Sequence, residues 1–480
     1  MDGQRLLDKE KVKHVHLVGI GGIGLSAIAR VLHQDGYVVS GCDAQQTALT
    51  AELTTLGMDV RHGHHPGHIA DVDLVIVSSA VPYGNPELVA ARNAGKTVVK
   101  RDQVLGELMA AKVGIAVAGT HGKTTTSALI SFVLTEMGLD PTFIVGGILR
   151  DVNTNARLGQ GPHFVVEADE YDHMFLGLRP KLAVVTIIEM DHPDCFSDIG
   201  EVMSAFDRFV RLVPNDGAII GCADGPRVAE LLRRLRKDRP VEVITYGLDA
   251  ESTWHARNVE DNAWGGSDLT VMHHGRAIGQ CQLRLAGLHN VSNALAVLAV
   301  AHCLGLDMER VLAALPGFHG VCRRFEIKGE ANGILVIDDY AHHPTEIRAT
   351  LAAARRRYGE RPLWVFFQPH TYSRTKSLMA EFAKSFGDAD HVVISEIYAA
   401  RETDNLGITA RDLVERVTHP DVRYAATLLQ ASEYLKHALR PGDVLLTLGA
   451  GDGYTVAENV LLALGETEAV RLGALERDDS

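Results

Sequence analysis

Cysteine is scarce in this sequence, and its spacing excludes two kinds of small structural framework. The 480 residues include six cysteines, at positions 42, 195, 222, 281, 303 and 322, and no two of them form a C-x-x-C pair. The chain therefore lacks the spacing of a zinc knuckle and the cysteine density of a disulfide-stapled domain. We expect a reducing compartment, the cytoplasm.

Long hydrophobic runs and an excess of positive charge are also missing. Apolar stretches such as residues 294–301 are too short to span a bilayer, and the charged N-terminus leads directly into the first predicted strand. The formal net charge of −14 argues against nucleic acid or an anionic membrane as a partner. There is no internal repeat and no low-complexity segment, so the composition indicates a large globular enzyme.

A phosphate-binding pattern lies at residues 116–126. An apolar strand runs into Gly119-Thr-His-Gly122, followed by Lys123 and three threonines that open a predicted helix. In such a turn, backbone N–H groups face an anion, the lysine meets the terminal phosphates and Thr124 can ligate Mg²⁺. The loop is shorter than the common P-loop, because Val117 stands where its first glycine is expected. The pattern predicts a nucleoside triphosphate; an ordinary glycine-rich turn is the alternative.

A second glycine loop, Gly19–Gly24, fits G-x-G-x-x-G and follows a predicted strand. Asp43 ends the next strand, close to the spacing at which a Rossmann unit places its ribose-binding acid. Taken alone, this loop favours NAD and a dehydrogenase. Two different phosphate-binding loops in one chain instead suggest two nucleotides.

Periodicity divides the chain into three blocks in which short strands alternate with helices. This alternation predicts an α/β fold of mainly parallel sheets flanked by helices. The expected domains are residues 1–110, 111–318 and 319–480. The predicted strands lie near residues 14–20, 37–43, 73–79, 97–100, 116–118, 163–167, 182–188, 217–221, 334–338, 363–367, 391–397 and 443–448, with an antiparallel excursion at 241–286 and helices at 289–315.

Acidic clusters follow two predicted strands of the second block, where α/β folds place their chemistry. Glu167 ends one strand, and the run Glu189-Met-Asp-His192 follows the next. A carboxylate there could hold Mg²⁺, whereas direct ligation by His192 and contact with substrate stay equally open, because Mg²⁺ prefers oxygen. In the third block, His342 and His343 are adjacent in sequence. Neighbouring side chains diverge, so we do not expect zinc there.

Seven motifs together resemble the Mur ligase family, and the match runs nearly end to end. They occur in this order: Gly19–Gly24, Gly119–Thr125, Glu167–Glu170, His289–Ala296, Arg323–Glu326, Asp338–Glu346 and Phe367–Arg374. The resemblance implies a Rossmann-like N-terminal domain for a UDP-sugar, a P-loop ATPase-like central domain and a Rossmann-like C-terminal domain for an amino acid. It also reassigns the first glycine loop from NAD to the UDP-sugar diphosphate.

The activity implied by the resemblance is an ATP-dependent ligase of peptidoglycan precursor synthesis. Such an enzyme joins L-alanine to the lactyl carboxylate of UDP-N-acetylmuramate through an acyl phosphate, with Mg²⁺. A dehydrogenase, a related ligase for another amino acid or peptide, and a nucleotide-sensing P-loop module are the alternatives. Monomer and homodimer both stay open.

The resemblance further implies site residues at the matching positions. Those for ATP are Gly119, Thr120, His121, Gly122, Lys123, Thr124, Thr125, Asn293, Arg324 and Asp339. Those for the UDP-sugar are Gly19, Gly21, Gly22, Ile23, Gly24, Asp43, Ser78 and Ser79. Tyr340, His342 and Arg374 are expected around alanine, with the last two donating to its carboxylate. Thr124 and Glu167 would each hold one Mg²⁺ and His192 would contact the second; the expected catalytic residues are Lys123, Glu167, His192 and His342.

Overall fold

The computed structural model describes residues 5–465 and, within that range, contains three β-sheets of five, ten and six strands. Each sheet is mainly parallel and flanked by helices, which confirms the predicted α/β class. None of the helices between residues 5 and 465 is both long enough and apolar enough to cross a membrane.

The first sheet has the strand order β3-β2-β1-β4-β5 and is parallel throughout. A 3₁₀ helix, Pro66–Ile69, precedes β4. The first glycine loop follows β1, which pairs with β2 on one side and with β4 on the other. Open α/β sheets bind ligands at such a reversal of the strand order. The elements are β1 (His14–Val18), α1 (Ile23–Gln34), β2 (Val38–Asp43), α2 (Ala48–Thr55), β3 (Asp59–His62), β4 (Leu74–Val77), α3 (Pro86–Asn93), β5 (Thr97–Lys100) and α4 (Arg101–Ala110).

The second sheet has the order β15-β14-β13-β12-β11-β10-β6-β9-β7-β8. Strands β13 to β15 form an antiparallel meander, as predicted, and β8 pairs antiparallel with β7. A 3₁₀ segment, Tyr171–Gly177, follows β9. The elements are β6 (Val113–Ala118), α5 (Lys123–Glu136), β7 (Thr142–Leu149), β8 (Thr154–Arg157), β9 (His163–Glu167), β10 (Leu182–Val185), α6 (Ile199–Val210), β11 (Ala218–Cys222), α7 (Pro226–Asp238), β12 (Glu242–Gly247), β13 (Trp254–Asp261), β14 (Ser267–His273), β15 (Arg276–Leu283), α8 (Leu288–Cys303) and α9 (Met308–Ala314).

The third sheet has the order β16-β17-β21-β18-β19-β20, with only β16 antiparallel among its described strands. Every residue of β17, β18 and β21 is buried, as expected for a sheet covered on both faces. The elements are β16 (Glu326–Ala331), β17 (Ile334–Asp339), α10 (Pro344–Tyr358), β18 (Leu363–Phe367), α11 (Tyr372–Ser377), α12 (Met379–Phe382), β19 (His391–Ser395), α13 (Ala410–Val414), β20 (Val422–Ala425), α14 (Leu428–Ala438) and β21 (Val444–Leu448).

Five strands were not predicted: β3, β7, β8, β16 and β20. Four of them lie at the edges of their sheets. Strand β3 reads Asp-Val-Arg-His and β16 reads Glu-Ile-Lys-Gly-Glu-Ala, and neither contains a buried residue. Edge strands tolerate charge and need little apolar surface, so the hydrophobic pattern that marks a buried strand is absent.

The first two sheets share an apolar core, whereas the third has its own. One continuous cluster of buried residues joins Ile28 of α1 to Ile144 and Ala156 of the second sheet. The buried apolar residues of the third sheet, such as Phe367 and Leu446, form separate clusters. Polar contacts join the third sheet to the second.

Helix α4 lies so close to the 3₁₀ segment after β9 that replacing its Gly106 by alanine should lower the stability of the protein. A Cβ at Gly106 would lie 2.2 Å from the carbonyl oxygen of Gly177. Alanine normally stabilises a helix interior by about 0.5–1 kcal/mol relative to glycine. Here we expect Gly106→Ala to destabilise the protein by about 1–3 kcal/mol, because the backbones must separate. Denaturant unfolding measures this.

Gly84→Ala is the matched control, since no atom of residues 5–465 lies within 4 Å of a Cβ at Gly84. An unchanged or raised stability for Gly106→Ala would contradict the contact between α4 and residues 171–177.

Candidate active site

The loop between β6 and α5 has a backbone that favours glycine at two positions. Gly119 has φ +140° and Gly122 has φ +81°. A Cβ at Gly119 would lie 1.9 Å from Oγ1 of Thr186. Helix α5 begins at Lys123 without a side-chain cap, so its first N–H groups stay available to an anion. The geometry fits a phosphate cradle.

Lys123 is almost buried and is held by an acid. Its Nζ donates to Oε2 of Glu170 at 2.7 Å and to the carbonyl oxygen of Gly119 at 2.6 Å. Burial disfavours the ammonium, but Glu170, Asp169 and Glu167 outweigh it and hold the pKa of Lys123 above its usual value. The loop therefore carries a fixed positive charge.

Side-chain oxygen atoms that could bind a cation lie next to Lys123. Oγ1 of Thr124 donates to Oε2 of Glu167 at 2.9 Å, and the same carboxylate oxygen accepts from the N–H of Gly146 at 2.8 Å. Hydroxyl and carboxylate oxygens suit Mg²⁺. His192 lines the cavity that Thr124 and Glu167 also line. Its Nδ1 is buried with no hydrogen-bond partner among the described residues. These residues fit a cation site.

Two cavities meet at the phosphate loop. The larger, about 480 Å³, is lined from all three sheets, by Gly24 and Arg101, by Glu167 and His192, and by Tyr340 and His342 among others. The smaller, about 300 Å³, has apolar walls that include Leu285, Leu288 and Tyr246, together with the predicted ATP residues Thr125, Asn293 and Asp339. His121, Gly122, Thr124, Arg324 and Glu346 line both.

In the smaller cavity the predicted ATP residues are already hydrogen-bonded to the protein. Oδ1 of Asn293 accepts from Oγ1 of Thr126 at 3.1 Å. Burial raises the pKa of Asp339 to about 6, against the opposing effect of Arg324 and two backbone donors. Nη2 of Arg324 lies 3.4 Å from Oγ1 of Thr124, which links the smaller cavity to the phosphate loop.

His121 bridges the second and third sheets. Its Nδ1 lies 3.0 Å from Oε1 of Glu346 on α10, and its Nε2 lies 3.2 Å from Oε2 of Glu189, beyond β10. Burial alone would lower the pKa of His121, but the two carboxylates raise it to about 9. Oγ1 of Thr345 also donates to Oε2 of Glu189, at 2.7 Å. This interface is ionic, in keeping with the separate core of the third sheet.

A second ion pair crosses the same interface. Nε and Nη2 of Arg374 donate to the two oxygens of Asp191 at 2.8 and 3.3 Å, and both side chains are buried. Nη1 of Arg374 lies 3.2 Å from Nδ1 of His370. In this arrangement Arg374 anchors the segment that carries His192, so its expected contact with an amino acid stays a prediction.

His342 is arranged as a hydrogen-bond acceptor, and its expected contact with an amino acid stays a prediction. Its Nδ1 donates to the carbonyl oxygen of Tyr340 at 2.9 Å. Burial lowers the pKa of His342 to about 4, with Arg374 adding to the effect and Glu346 opposing it. The ring is therefore neutral near pH 7, and its Nε2 presents a lone pair.

The first glycine loop lies at the far end of the larger cavity, where Ile23 and Gly24 line it. The other predicted UDP-sugar residues, Gly19, Gly21, Gly22, Asp43, Ser78 and Ser79, are not among the lining residues. Oδ2 of Asp43 accepts from the N–H of Gly21 at 2.9 Å, and Oγ of Ser79 donates to Asp172 at 2.9 Å. Their contacts with a ligand stay predictions.

Sequence reasoning gave no individual role to four acids that organise this site, Glu170, Glu189, Asp191 and Glu346, although it named the acidic runs after both strands as possible Mg²⁺ ligands. Glu170, Glu189 and Asp191 follow parallel strands, which was the available signal. Glu346 occupies the third position of α10, where its Oε2 accepts from the N–H groups of His342 and His343. Helix capping accounts for a glutamate at position 346, but nothing in the sequence indicates its contact with His121.

Comparison with protein families finds Mur ligase domains along most of the chain. The Mur ligase family catalytic domain matches residues 14–113, the Mur ligase middle domain matches residues 117–301, and the Mur ligase glutamate ligase domain matches residues 323–451. These matches fall on the first, second and third sheets respectively.

Curated relatives are similar over nearly their whole length. The UDP-N-acetylmuramate–L-alanine ligase of Geobacter sp. (strain M21) is 46% identical over 458 residues, which is 95% of this chain and 98% of the relative. The protein of the same name from Acetivibrio thermocellus is 43% identical over 466 residues, 96% of this chain and 98% of the relative.

Solved structures agree with the fold. The UDP-N-acetylmuramate-alanine ligase of Thermotoga maritima aligns with a TM-score of 0.79 and 30% identity, covering 95% of this chain and 99% of that one. A murein peptide ligase from Psychrobacter arcticus aligns with a TM-score of 0.72 and 27% identity, covering 94% and 98%.

The raised pKa of His121 predicts a pH-dependent contribution to stability. A shift from about 6.5 to about 9 is worth on the order of 3 kcal/mol. Because the folded-state pKa is raised, this contribution is complete below about pH 6.5 and is lost as pH rises through about 9. Removing one of the two acids with Glu346→Gln should therefore lower the thermal midpoint most near pH 6.5 and least near pH 10.

Glu360→Gln, at an exposed position after α10, controls for the loss of a charge. A midpoint difference between wild type and Glu346→Gln that stays constant or widens with rising pH would contradict the ionic bridge at His121.

Proposed function

The chain belongs to the Mur ligase family, and we propose that it joins L-alanine to the lactyl carboxylate of UDP-N-acetylmuramate with consumption of ATP. It is an ATP-dependent ligase of peptidoglycan precursor synthesis. Near-full-length relatives at 40–46% identity support this assignment. The observation that carries it is the meeting of two cavities at one phosphate loop, since such a ligase must bring a nucleotide against a second substrate.

The chemistry follows from charge. A carboxylate is a poor electrophile, so a lactyl oxygen first attacks the γ-phosphorus of ATP, and ADP leaves. The amine of alanine then attacks the acyl carbon, phosphate leaves, and the ammonium proton passes to solvent. Negative charge gathers at the γ-phosphoryl group, and preorganised cations carry most of such catalysis.

Lys123 and the loop Gly119–Gly122 are proposed to bind the β- and γ-phosphates. The fixed charge of Lys123, the positive φ of both glycines and the uncapped start of α5 support this role. Lys123 would exchange Glu170 for phosphate oxygens, so its charge stays paired throughout. Thr120, His121 and Thr125 complete the proposed contacts.

Thr124 and Glu167 are proposed to hold Mg²⁺, with His192 beside the second ion. Their oxygen atoms support this assignment, and so does Nδ1 of His192, which has no hydrogen-bond partner among residues 5–465. Bound Mg²⁺ would neutralise phosphate charge during transfer. The protein's own part is to fix these ligands, and the N–H of Gly146 does so by binding the Glu167 carboxylate.

The smaller cavity is proposed to take the nucleoside of ATP, with Asn293, Arg324 and Asp339 as contacts. Its apolar walls and its opening onto Gly122 and Thr124 support that choice. The UDP-sugar would then lie between the Gly19–Gly24 loop, with Asp43, Ser78 and Ser79, and the phosphate loop.

Alanine is proposed to bind at the third-sheet end of the larger cavity. Tyr340 and His342 line that end, and the neutral Nε2 of His342 can accept a hydrogen bond from the amine. Arg374 stands behind them on Asp191. A pocket that distinguishes substrates by one methylene separates them only about 10- to 200-fold, so slower turnover of serine or glycine is expected.

We further propose domain boundaries of 1–110, 111–318 and 319–480, and a cytoplasmic location. All six cysteines are free, which agrees with a reducing compartment. Monomer and homodimer are both compatible with the chain.

Phosphate release tests the function directly. We expect ADP and phosphate to form only when ATP, Mg²⁺, UDP-N-acetylmuramate and an amino acid are all present, with alanine fastest in a panel of free amino acids. NAD(P)H oxidation without amino-acid-dependent ATP turnover would indicate a dehydrogenase instead. ATP hydrolysis indifferent to the amino acid would indicate a nucleotide-sensing module.

Lys123→Ala should separate turnover from UDP-sugar binding. We expect turnover to fall at least about 100-fold, because a contact with transition-state charge costs on the order of 3 kcal/mol. UDP-N-acetylmuramate binding, measured by calorimetry, should survive because its glycine loop lies on the first sheet. Lys181→Ala, which removes an exposed pair with Asp216, is the control. Equal loss of turnover and binding would show that the two sites are not separate.

A further inference from the structure

A cluster of metal-ligand side chains is enclosed in the first sheet, away from the cavities. It consists of His16 on β1, Cys42 on β2, His68 on the 3₁₀ helix and Glu87 on α3. One ligand atom from each lies within 4.8 Å of all the others. His16, Cys42 and Glu87 are at most 1% exposed. We call these four residues the His–Cys–Glu cluster.

Glu87 is the centre of the cluster. Its Oε2 lies 2.8 Å from Sγ of Cys42 and 3.2 Å from Nε2 of His16, and its Oε1 lies 2.7 Å from Nδ1 of His68. His64 adds a third imidazole, with Nδ1 3.1 Å from Sγ of Cys42. Two imidazole nitrogens, a thiol and a carboxylate thus point at one small volume.

A chain of hydrogen bonds fixes how His16 faces that volume. Nδ1 of His14 must donate to the carbonyl oxygen of Asp71, at 2.9 Å. Oγ of Ser40 lies 2.7 Å from Nε2 of His14 and 2.8 Å from Nδ1 of His16, so it holds the two rings together. Nε2 of His16 faces Oε2 of Glu87 at 3.2 Å. Nitrogen, sulfur and oxygen ligand atoms that converge in this way suit a transition-metal ion.

We propose that the His–Cys–Glu cluster is a zinc site. Zn²⁺ takes imidazole nitrogen, thiolate sulfur and carboxylate oxygen in tetrahedral sites, whereas Mg²⁺ takes oxygen ligands. On binding, Cys42 loses its thiol proton to solvent and its thiolate bonds to the metal. Four protein ligands in a closed environment make this a structural site. The hydrogen bond between Oγ of Ser40 and Nδ1 of His16 then orients the ring, as is usual for histidines that bind a metal through their other nitrogen.

The zinc ion would fix the backbone beneath the first glycine loop. Its four ligands lie on four separate elements, so it cross-links strands β1 and β2 to the 3₁₀ helix and α3. The carbonyl oxygen of Cys42 accepts from the N–H groups of Gly19 and Ile20 at 2.8 and 3.1 Å. A metal bound to Cys42 therefore holds the turn that opens the loop.

Metal content tests the proposal. Untagged wild-type protein, expressed with zinc in the medium and desalted, should retain about one equivalent of zinc by plasma mass spectrometry. Cys42→Ser should weaken zinc binding at least about 100-fold, since even outer-shell changes cost 10- to 100-fold. Cys281→Ser, at a buried cysteine of β15, should retain the metal. Protein exchanged into Co²⁺ should show thiolate-to-cobalt charge-transfer absorption that Cys42→Ser lacks.

His68→Asn serves as a second ligand variant if Cys42→Ser does not fold, because His68 is only partly buried. Folded wild type that holds less than about a tenth of an equivalent of zinc, and gives no charge-transfer band with Co²⁺, would overturn the proposal. Zinc retained equally by Cys42→Ser would also overturn it. Zinc content does not depend on ligase activity, so this test can fail while the proposed function stands.

Discussion

Carboxylates hold both cationic side chains of the loop between β6 and α5, and the arrangement of the site depends on these pairs. Glu170 pairs with Lys123, while Glu189 and Glu346 pair with His121. A buried charge without a partner is strongly destabilising, so each cation fixes the position of the segment that carries its acid. Those segments follow β9, follow β10 and begin α10. The loop thus positions the ends of two strands and the first helix of the third sheet.

The two interfaces of the second sheet differ in kind. Its interface with the first sheet is part of one apolar core, which is costly to open. Its interface with the third sheet includes His121, the pair Arg374–Asp191 and the bond from Thr345 to Glu189. Separating these pairs would leave buried charges without partners, so they hold the third sheet against the second. The two interfaces therefore rest on different contacts, apolar packing on one side and paired charges on the other.

The local parts of this structure were predictable from sequence, and the long-range pairs were not. The glycine loops and most buried strands are recognisable by residue type and period, although the interior strand β7 was missed. Edge strands such as β3 and β16 do not, because they carry charge and bury nothing. Pairing partners lie far apart in the chain, 225 residues for His121 and Glu346 and 183 for Arg374 and Asp191. The ligands of the His–Cys–Glu cluster come from four elements, so no short spacing marks them.

The contrast between the two interfaces is tested most directly by distance distributions between pairs of spectroscopic labels. One pair, at exposed positions 233 and 429, spans the second and third sheets, and the other, at 89 and 233, spans the first and second. Replacing Asp191 by Asn and Glu346 by Gln should broaden or lengthen only the 233–429 distribution. Unchanged distributions for both pairs, or equal broadening of both, would contradict an ionic interface on one side and an apolar core on the other.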